Sequence, residues 1–157
     1  SFEYVKYQKL VKDMVGRLSF YGKAVNTLSD DDVRISKRLY IPSSKLRGFE
    51  AGKIGPIDNN DFVGGNYISV FNLSSTIPQA LPSLQNTDIS VFFDAANIWG
   101  VDYNSALNYK NTIRSSIGIS IDLLIPGLPL NFSLAQPLTK SSSDITESFR
   151  FNLGTTF

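Results

Sequence analysis

The feature that most narrows the possible folds is a strict alternation toward the C-terminal end of the chain. From Ser148 to Phe157 the odd positions are Phe149, Phe151, Leu153, Thr155 and Phe157, and the even ones are Ser148, Arg150, Asn152, Gly154 and Thr156. A period of two puts the two sets on opposite faces of an extended strand, whereas one face of a helix needs a period near 3.6. The pattern recurs upstream. Ile113, Ser115, Ile117, Ile119, Ile121 and Leu123 alternate with Arg114, Ser116, Gly118, Ser120 and Asp122, and Leu128, Leu130, Phe132 and Leu134 alternate with Asn131, Ser133 and Ala135. Pro126-Gly127 and the polar run Lys140–Asp144 supply the turns between them.

Fainter copies precede these. Ile89, Val91 and Phe93 oppose Asp88, Ser90, Phe92, Asp94 and Ala96; Tyr67, Phe71, Leu73 and Ile77 oppose Asn66, Asn72, Ser74 and Thr76; Leu18 and Phe20 oppose Arg17, Ser19, Tyr21 and Lys23. Tyr4, Tyr7, Val11, Met14 and Leu18 also fit a helical stripe, but the segment is assigned to a strand ending near Gln8 with a turn at Leu10–Asp13. The sum is an all-β, antiparallel chain of about seven strands.

Arg17, Lys23, Asp94, Arg114, Asp122 and Arg150 all fall on the polar parity. A soluble β-sandwich turns its apolar face inward and satisfies this pattern. An outer-membrane barrel turns the apolar face to lipid and the polar face to a wet lumen, and satisfies it equally. Alternation alone leaves both open. A helical membrane span is excluded: the most apolar run, Leu123–Leu130, is short, is broken by Pro126, Gly127 and Pro129, and falls far below about 20 residues. Ser1–Lys12 carries charges every few residues and does not read as a signal peptide.

Composition removes most chemistry. The 157 residues suit one domain and contain neither histidine nor cysteine, so there is no Ser-His-Asp triad, no thiolate nucleophile and no Cys/His zinc site. With 15 basic and 14 acidic side chains the net charge is +1, which offers no field for nucleic acid. No enzyme activity, cofactor or metal is expected.

One long segment, Ser29–Asp61, lacks periodicity yet holds Leu39, Tyr40, Ile41, Leu46, Phe49 and Ile54, which favour burial. Loops of this length in compact domains are usually functional or disordered. A structured loop folded back onto the strands is the better account.

Leu46-Arg47-Gly48-Phe49 followed by Ile54-Gly55-Pro56 resembles the lumen-inserted sixth loop of the BamA outer-membrane protein assembly factors. The resemblance continues in order through Gly64-Gly65-Asn66, Phe92-x-Asp94 with Trp99, and Arg114-x-Ser116-x-Gly118. It then runs through Pro126 with Pro129-Leu130, Ala135-Gln136-Pro137-Leu138, and the ending Phe149-x-Phe151-x-x-Gly154-x-x-Phe157. It spans nearly the whole chain. It implies the C-terminal part, about seven strands, of a larger up-and-down transmembrane β-barrel, with residues 29–61 as a loop inserted in the lumen.

The resemblance further implies an integral protein of the bacterial outer membrane that assembles and inserts β-barrel proteins, its lateral strand edge templating new strands. Its partners would be nascent outer-membrane β-barrel proteins, accessory periplasmic lipoproteins and membrane lipid, with no nucleic acid. Arg47, Gly48 and Phe49 become the loop motif, Phe92 and Asp94 its barrel-wall partners, and Phe149, Phe151, Gly154 and Phe157 a terminal-strand signal on a last strand running from Ile145 to Phe157. Arg47 is expected to pair with Asp94 and lie against the Phe92 ring, with similar assembly defects from Arg47→Ala and Asp94→Ala and a double variant no worse than either. Three departures stand out: Ala96 replaces the last glycine of the wall motif, Ser74 stands where a lumen-facing glutamate is common, and the loop lacks a long glycine-rich approach. Ser74 leaves Arg47 one carboxylate instead of two. A passive pore and a soluble β-sandwich binding module are the alternatives, with a hydrolytic barrel enzyme a distant fourth for want of a histidine.

Overall fold

The computed structural model describes residues 1–11, 13–28, 32–77, 86–108, 111–125 and 128–153. The Pro126-Gly127 turn, the first residues of the long loop, Gly154 and Phe157 lie outside them.

Seven strands form one antiparallel sheet: β1 (Phe2–Lys9), β2 (Val15–Ala24), β5 (Tyr67–Ile77), β6 (Thr87–Trp99), β7 (Arg114–Ile125), β8 (Leu128–Thr139) and β9 (Phe149–Leu153). Each pairs with the next in that order, so the topology is up-and-down, and the sheet is open with β1 and β9 at its edges. The segment with the helical stripe is strand and turn. Leu10 N–H donates to the Met14 carbonyl across a turn in which Asp13 adopts φ 67°.

The β2–β5 connection folds back over the polar-parity face. Within it, Ile57–Asp58 (β3) and Asp61–Phe62 (β4) form a small hairpin whose turn residues Asn59 and Asn60 both have positive φ, the backbone a tight hairpin turn needs. Leu39, Ile41, Leu46, Phe49 and Ile54 of the loop pack on Ile68 and Val70 of β5 and Ala96 and Ile98 of β6. The hydrophobic core therefore lies between loop and sheet, toward the loop end of the strands. Gly64-Gly65 is more than a turn marker. A methyl at Gly64 would lie 2.6 Å from the Leu39 carbonyl oxygen, one at Gly65 would lie 2.5 Å from that of Trp99, and Leu39 and Gly65 exchange both backbone hydrogen bonds.

The opposite face is bare and apolar. Phe20, Leu73, Val91, Ile117, Ile119, Leu134, Phe149 and Phe151 are all exposed. A soluble sandwich covers its apolar face with a second sheet; here the described residues cover the polar-parity face instead. The exposed apolar belt also runs obliquely to the strand pairing. The register row carrying Phe149, Leu134, Ile119 and Val91 continues through Ser75 and Gly16 to Gln8, whereas the exposed rings on that same face of β1 are Phe2 and Tyr4, several residues nearer the loop end. Barrel strands tilt by about 35–45°, so an apolar band of fixed height must cross their registers in this slanting way.

Candidate functional site

Asp94 sits mid-strand on β6 with a fully buried side chain. Its two oxygens accept from Arg47 Nε (2.7 Å) and Nη2 (2.8 Å), from the Arg47 backbone N–H (3.1 Å) and from Asn72 Nδ2 (2.8 Å). Four donors on one carboxylate, two of them a guanidinium fork, offset the cost of holding the charge away from water. The guanidinium carbon stands 3.4 Å above the Phe92 ring. That ring has room because position 118 is glycine: a methyl there would lie 2.6 Å from Phe92 Cζ. Ser116, two residues earlier, donates its hydroxyl to the Arg47 carbonyl at 2.5 Å. Arg47, Phe92 and Asp94 are thus brought together as the sequence implied. Asp94 is the one carboxylate on Arg47 among the described residues, and Ala96 puts its methyl into the core.

The segment Lys45–Phe49 reaches all seven strands of the sheet. Lys45 Nζ pairs with Glu3 of β1 (2.6 Å) and sits 4.5 Å from the Tyr21 ring centre of β2. Asn72 of β5 donates to the Lys45 carbonyl at 2.8 Å, Asp94 of β6 binds Arg47, and Ser116 belongs to β7. Gly48, at φ 89°, lies so close to β8 that a methyl would stand 3.1 Å from Ala135 Cβ. Arg150 of β9 donates Nη2 to the buried Phe49 carbonyl at 2.5 Å and Nη1 to the Ser43 carbonyl. The motif residue Phe49 also bridges to Thr146, with Glu147 N–H bonded to the Gly48 carbonyl at 3.1 Å.

Those contacts shorten the last strand. It starts at Phe149 instead of Ile145, because residues 145–147 hydrogen-bond to the loop. Phe149 and Phe151 point outward, away from the Arg47 cluster, and flank Phe132 at ring-centre distances of 6.4 and 5.0 Å.

Two further arginine locks escaped the sequence reading. Arg114 makes a two-point pair with Asp144 (2.9 and 3.0 Å), both side chains almost wholly buried, and Asp144 also accepts the backbone N–H groups of Gly55 and Ser141. Arg38 reaches Asp102 at 2.5 Å, and Asp102 in turn accepts the Val33 N–H at 2.7 Å and the Asn66 amide at 3.0 Å. Burial pushes the Asp102 carboxyl up. The Val33 and Asn66 hydrogen bonds and the Arg38 charge outweigh it and hold the group below the ordinary carboxylate value. An arginine on the polar parity close to a polar loop was the available signal for the first lock; for the second there was none.

The sequence pattern of the Omp85 superfamily domain matches residues 1–157. The chain is 29% identical over 141 residues to the outer membrane protein assembly factor BamA of Neisseria meningitidis serogroup B, covering 71% of this chain and 17% of that protein. It is 29% identical over 123 residues to the sorting assembly machinery 50 kDa subunit of Saccharomyces cerevisiae, covering 73% of this chain and 25% of that one. The crystal structure of BamA from Haemophilus ducreyi lacking POTRA domains 1–3 superposes with a TM-score of 0.82 at 26% identity, over 95% of this chain and 33% of the other. The chain spans a quarter or less of the length of these two curated relatives.

Proposed function

The chain belongs to the Omp85 superfamily, and we propose that it forms the C-terminal, loop-locked wall of a β-barrel that assembles and inserts other β-barrel proteins into the bacterial outer membrane. One observation carries the reading. The Lys45–Phe49 segment ties the loop to every strand of the sheet, from one edge to the other. A passive pore needs alternation and a wet lumen but no such tie. An insertion machine needs a barrel that opens at a strand edge without coming apart, and a loop gripping all the strands supplies that restraint.

On this reading the bare apolar face meets lipid, the covered face lines the lumen, and the long connections at the loop end face outward. The free edge of β9 presents unpaired backbone groups to an incoming strand, and strand addition is the physics of its recognition. The clients are nascent β-barrel proteins, and periplasmic lipoproteins assist. No residue is assigned catalysis: positioning and backbone pairing do the work.

Replacing the native full-length protein by its Asp94→Ala form in cells tests this. Outer-membrane levels of several unrelated β-barrel proteins should fall while the variant itself remains in the membrane. Normal client levels, with altered ion conductance of the purified barrel, would favour the passive pore.

A further inference from the structure

Beneath the Arg47 lock lies a polar cavity of about 310 Å³. Four cationic side chains reach it: Arg17, Lys45, Arg47 and Arg150. Lys45 is paired with Glu3, Arg47 with Asp94 and Arg150 with Glu147. Arg17 has no ion-pair or hydrogen-bond partner among the described residues. Its cross-strand neighbours are Tyr7 and Ser74, and the same-face diagonal positions hold Val5, Lys9, Asn72 and Thr76. None is acidic. Asp122 also borders the cavity, but it accepts the Asn131 amide at 2.6 Å and belongs to β7, three strands from Arg17, with backbones roughly 14 Å apart.

Arg47 is half-committed. Asp94 takes its Nε and Nη2, while Nη1, with two N–H groups, donates to nothing described, and the side chain remains partly exposed in the cavity wall. Ser74, directly across from Arg17, lines the same space, and its hydroxyl has no hydrogen-bond partner among the described residues. Two guanidinium groups with unused donors, a hydroxyl beside them and no acid at the positions flanking Arg17 make a complement for a planar or tetrahedral oxyanion, the group such forks bind best.

We propose that this end of the cavity is an oxyanion site, in which Arg17 and the unused edge of Arg47 hold one phosphate or carboxylate group over Ser74. The bound group joins β2 to the loop and so strengthens the lock from its second side. The inference rests on the reading of the covered face as a lumen, but its test does not pass through assembly activity.

The full-length protein in detergent micelles is titrated calorimetrically with inorganic phosphate and, separately, with acetate, against chloride at equal ionic strength. Saturable binding of either is expected; which one binds tells a phosphate from a carboxylate occupant. Arg17→Gln should weaken it roughly tenfold or more, the loss of a charge-assisted pair. Ser74→Glu supplies a built-in carboxylate and should abolish binding altogether. Absence of saturable binding, or binding unchanged in Arg17→Gln, overturns the site, and the second criterion holds even if Ser74→Glu fails to fold. Saturable binding sensitive to Arg17, in a protein whose Asp94→Ala form still assembles clients normally, would leave the site standing and remove the proposed function.

Discussion

Asp94 and Arg47 form one pair, yet their removal should not cost the same. Asp94 is fully buried and satisfies three groups: the Arg47 side chain, the Arg47 backbone N–H and the Asn72 amide. Asp94→Ala leaves an arginine that is partly exposed to the cavity and an Asn72 amide that keeps the Lys45 carbonyl, so mainly the charge-assisted contacts are lost, about 1.5–3 kcal/mol. Arg47→Ala leaves a fully buried carboxylate with two neutral donors and no counter-charge, and should cost about 3–5 kcal/mol, as for breaking a buried ion pair. The double variant should cost no more than Arg47→Ala alone, because the stranded carboxylate is gone. The resemblance implies similar assembly defects from the two single variants; the burial of the pair predicts this order in their stabilities. Urea unfolding of the full-length protein and the three variants in lipid vesicles provides the cycle. Equal single penalties that add in the double variant would mean that the pair does not form, and the account of the lock would fall with it.

Gly48→Ala places a methyl 3.1 Å from both Ala135 Cβ and Ser116 Cβ on a left-handed backbone; it should cost about 1–3 kcal/mol and expose the loop to trypsin, and unaltered protease resistance would count against the close approach. Ile119→Arg puts a charge on the bare apolar face and should cost about 2–4 kcal/mol in bilayers, whereas Ser74→Asn, at a half-buried position lining the cavity, should cost under about 1 kcal/mol. Similar penalties at the two positions would refute the lipid-facing assignment. The Asp102 carboxyl titrates below its ordinary value when folded, so its contribution is present above the ordinary carboxylate range and is lost as pH falls through the lowered value. Hydrogen exchange at the Val33 N–H should show protection persisting into mild acid and collapsing below that range, and in Asp102→Asn the protection should no longer follow pH.

The strands were legible because most faces keep one environment along their length. Where that fails, the pattern fades. Ile68, Val70, Ala96 and Ile98 share the parity of Asn72 and Asp94, yet the loop covers them and makes that stretch a protein core, so one face is apolar at its loop end and polar beyond. Period-two reading assumes a single environment per face and cannot register the change. Arg47, Phe92 and Asp94 were reached through resemblance, not through spacing. Arg114 and Asp144 stand 30 positions apart in sequence, with Asp144 in what reads as an ordinary polar turn. Arg150 binds backbone carbonyls, which no side-chain pattern records. The Asn59-Asn60 turn was chemically plain, but two-residue strands are too short to alternate.

The reach of Lys45–Phe49 has a kinetic consequence. Its strand partners lie between 24 and 101 residues away in the chain. Forming such distant contacts costs closure entropy before they return anything, and a partial sheet offers only some of them. The loop therefore seats last, once the outer strands on both flanks are in place, much as the final stone of an arch is set. Interactions made after the rate-limiting step act on unfolding rather than on folding. The Arg47 cluster thus governs how long the completed wall endures, and how fast the wall is built is decided by the strands alone. Strain on either outer strand, at Glu3 or at Arg150, is felt first as a loosening of the same short segment.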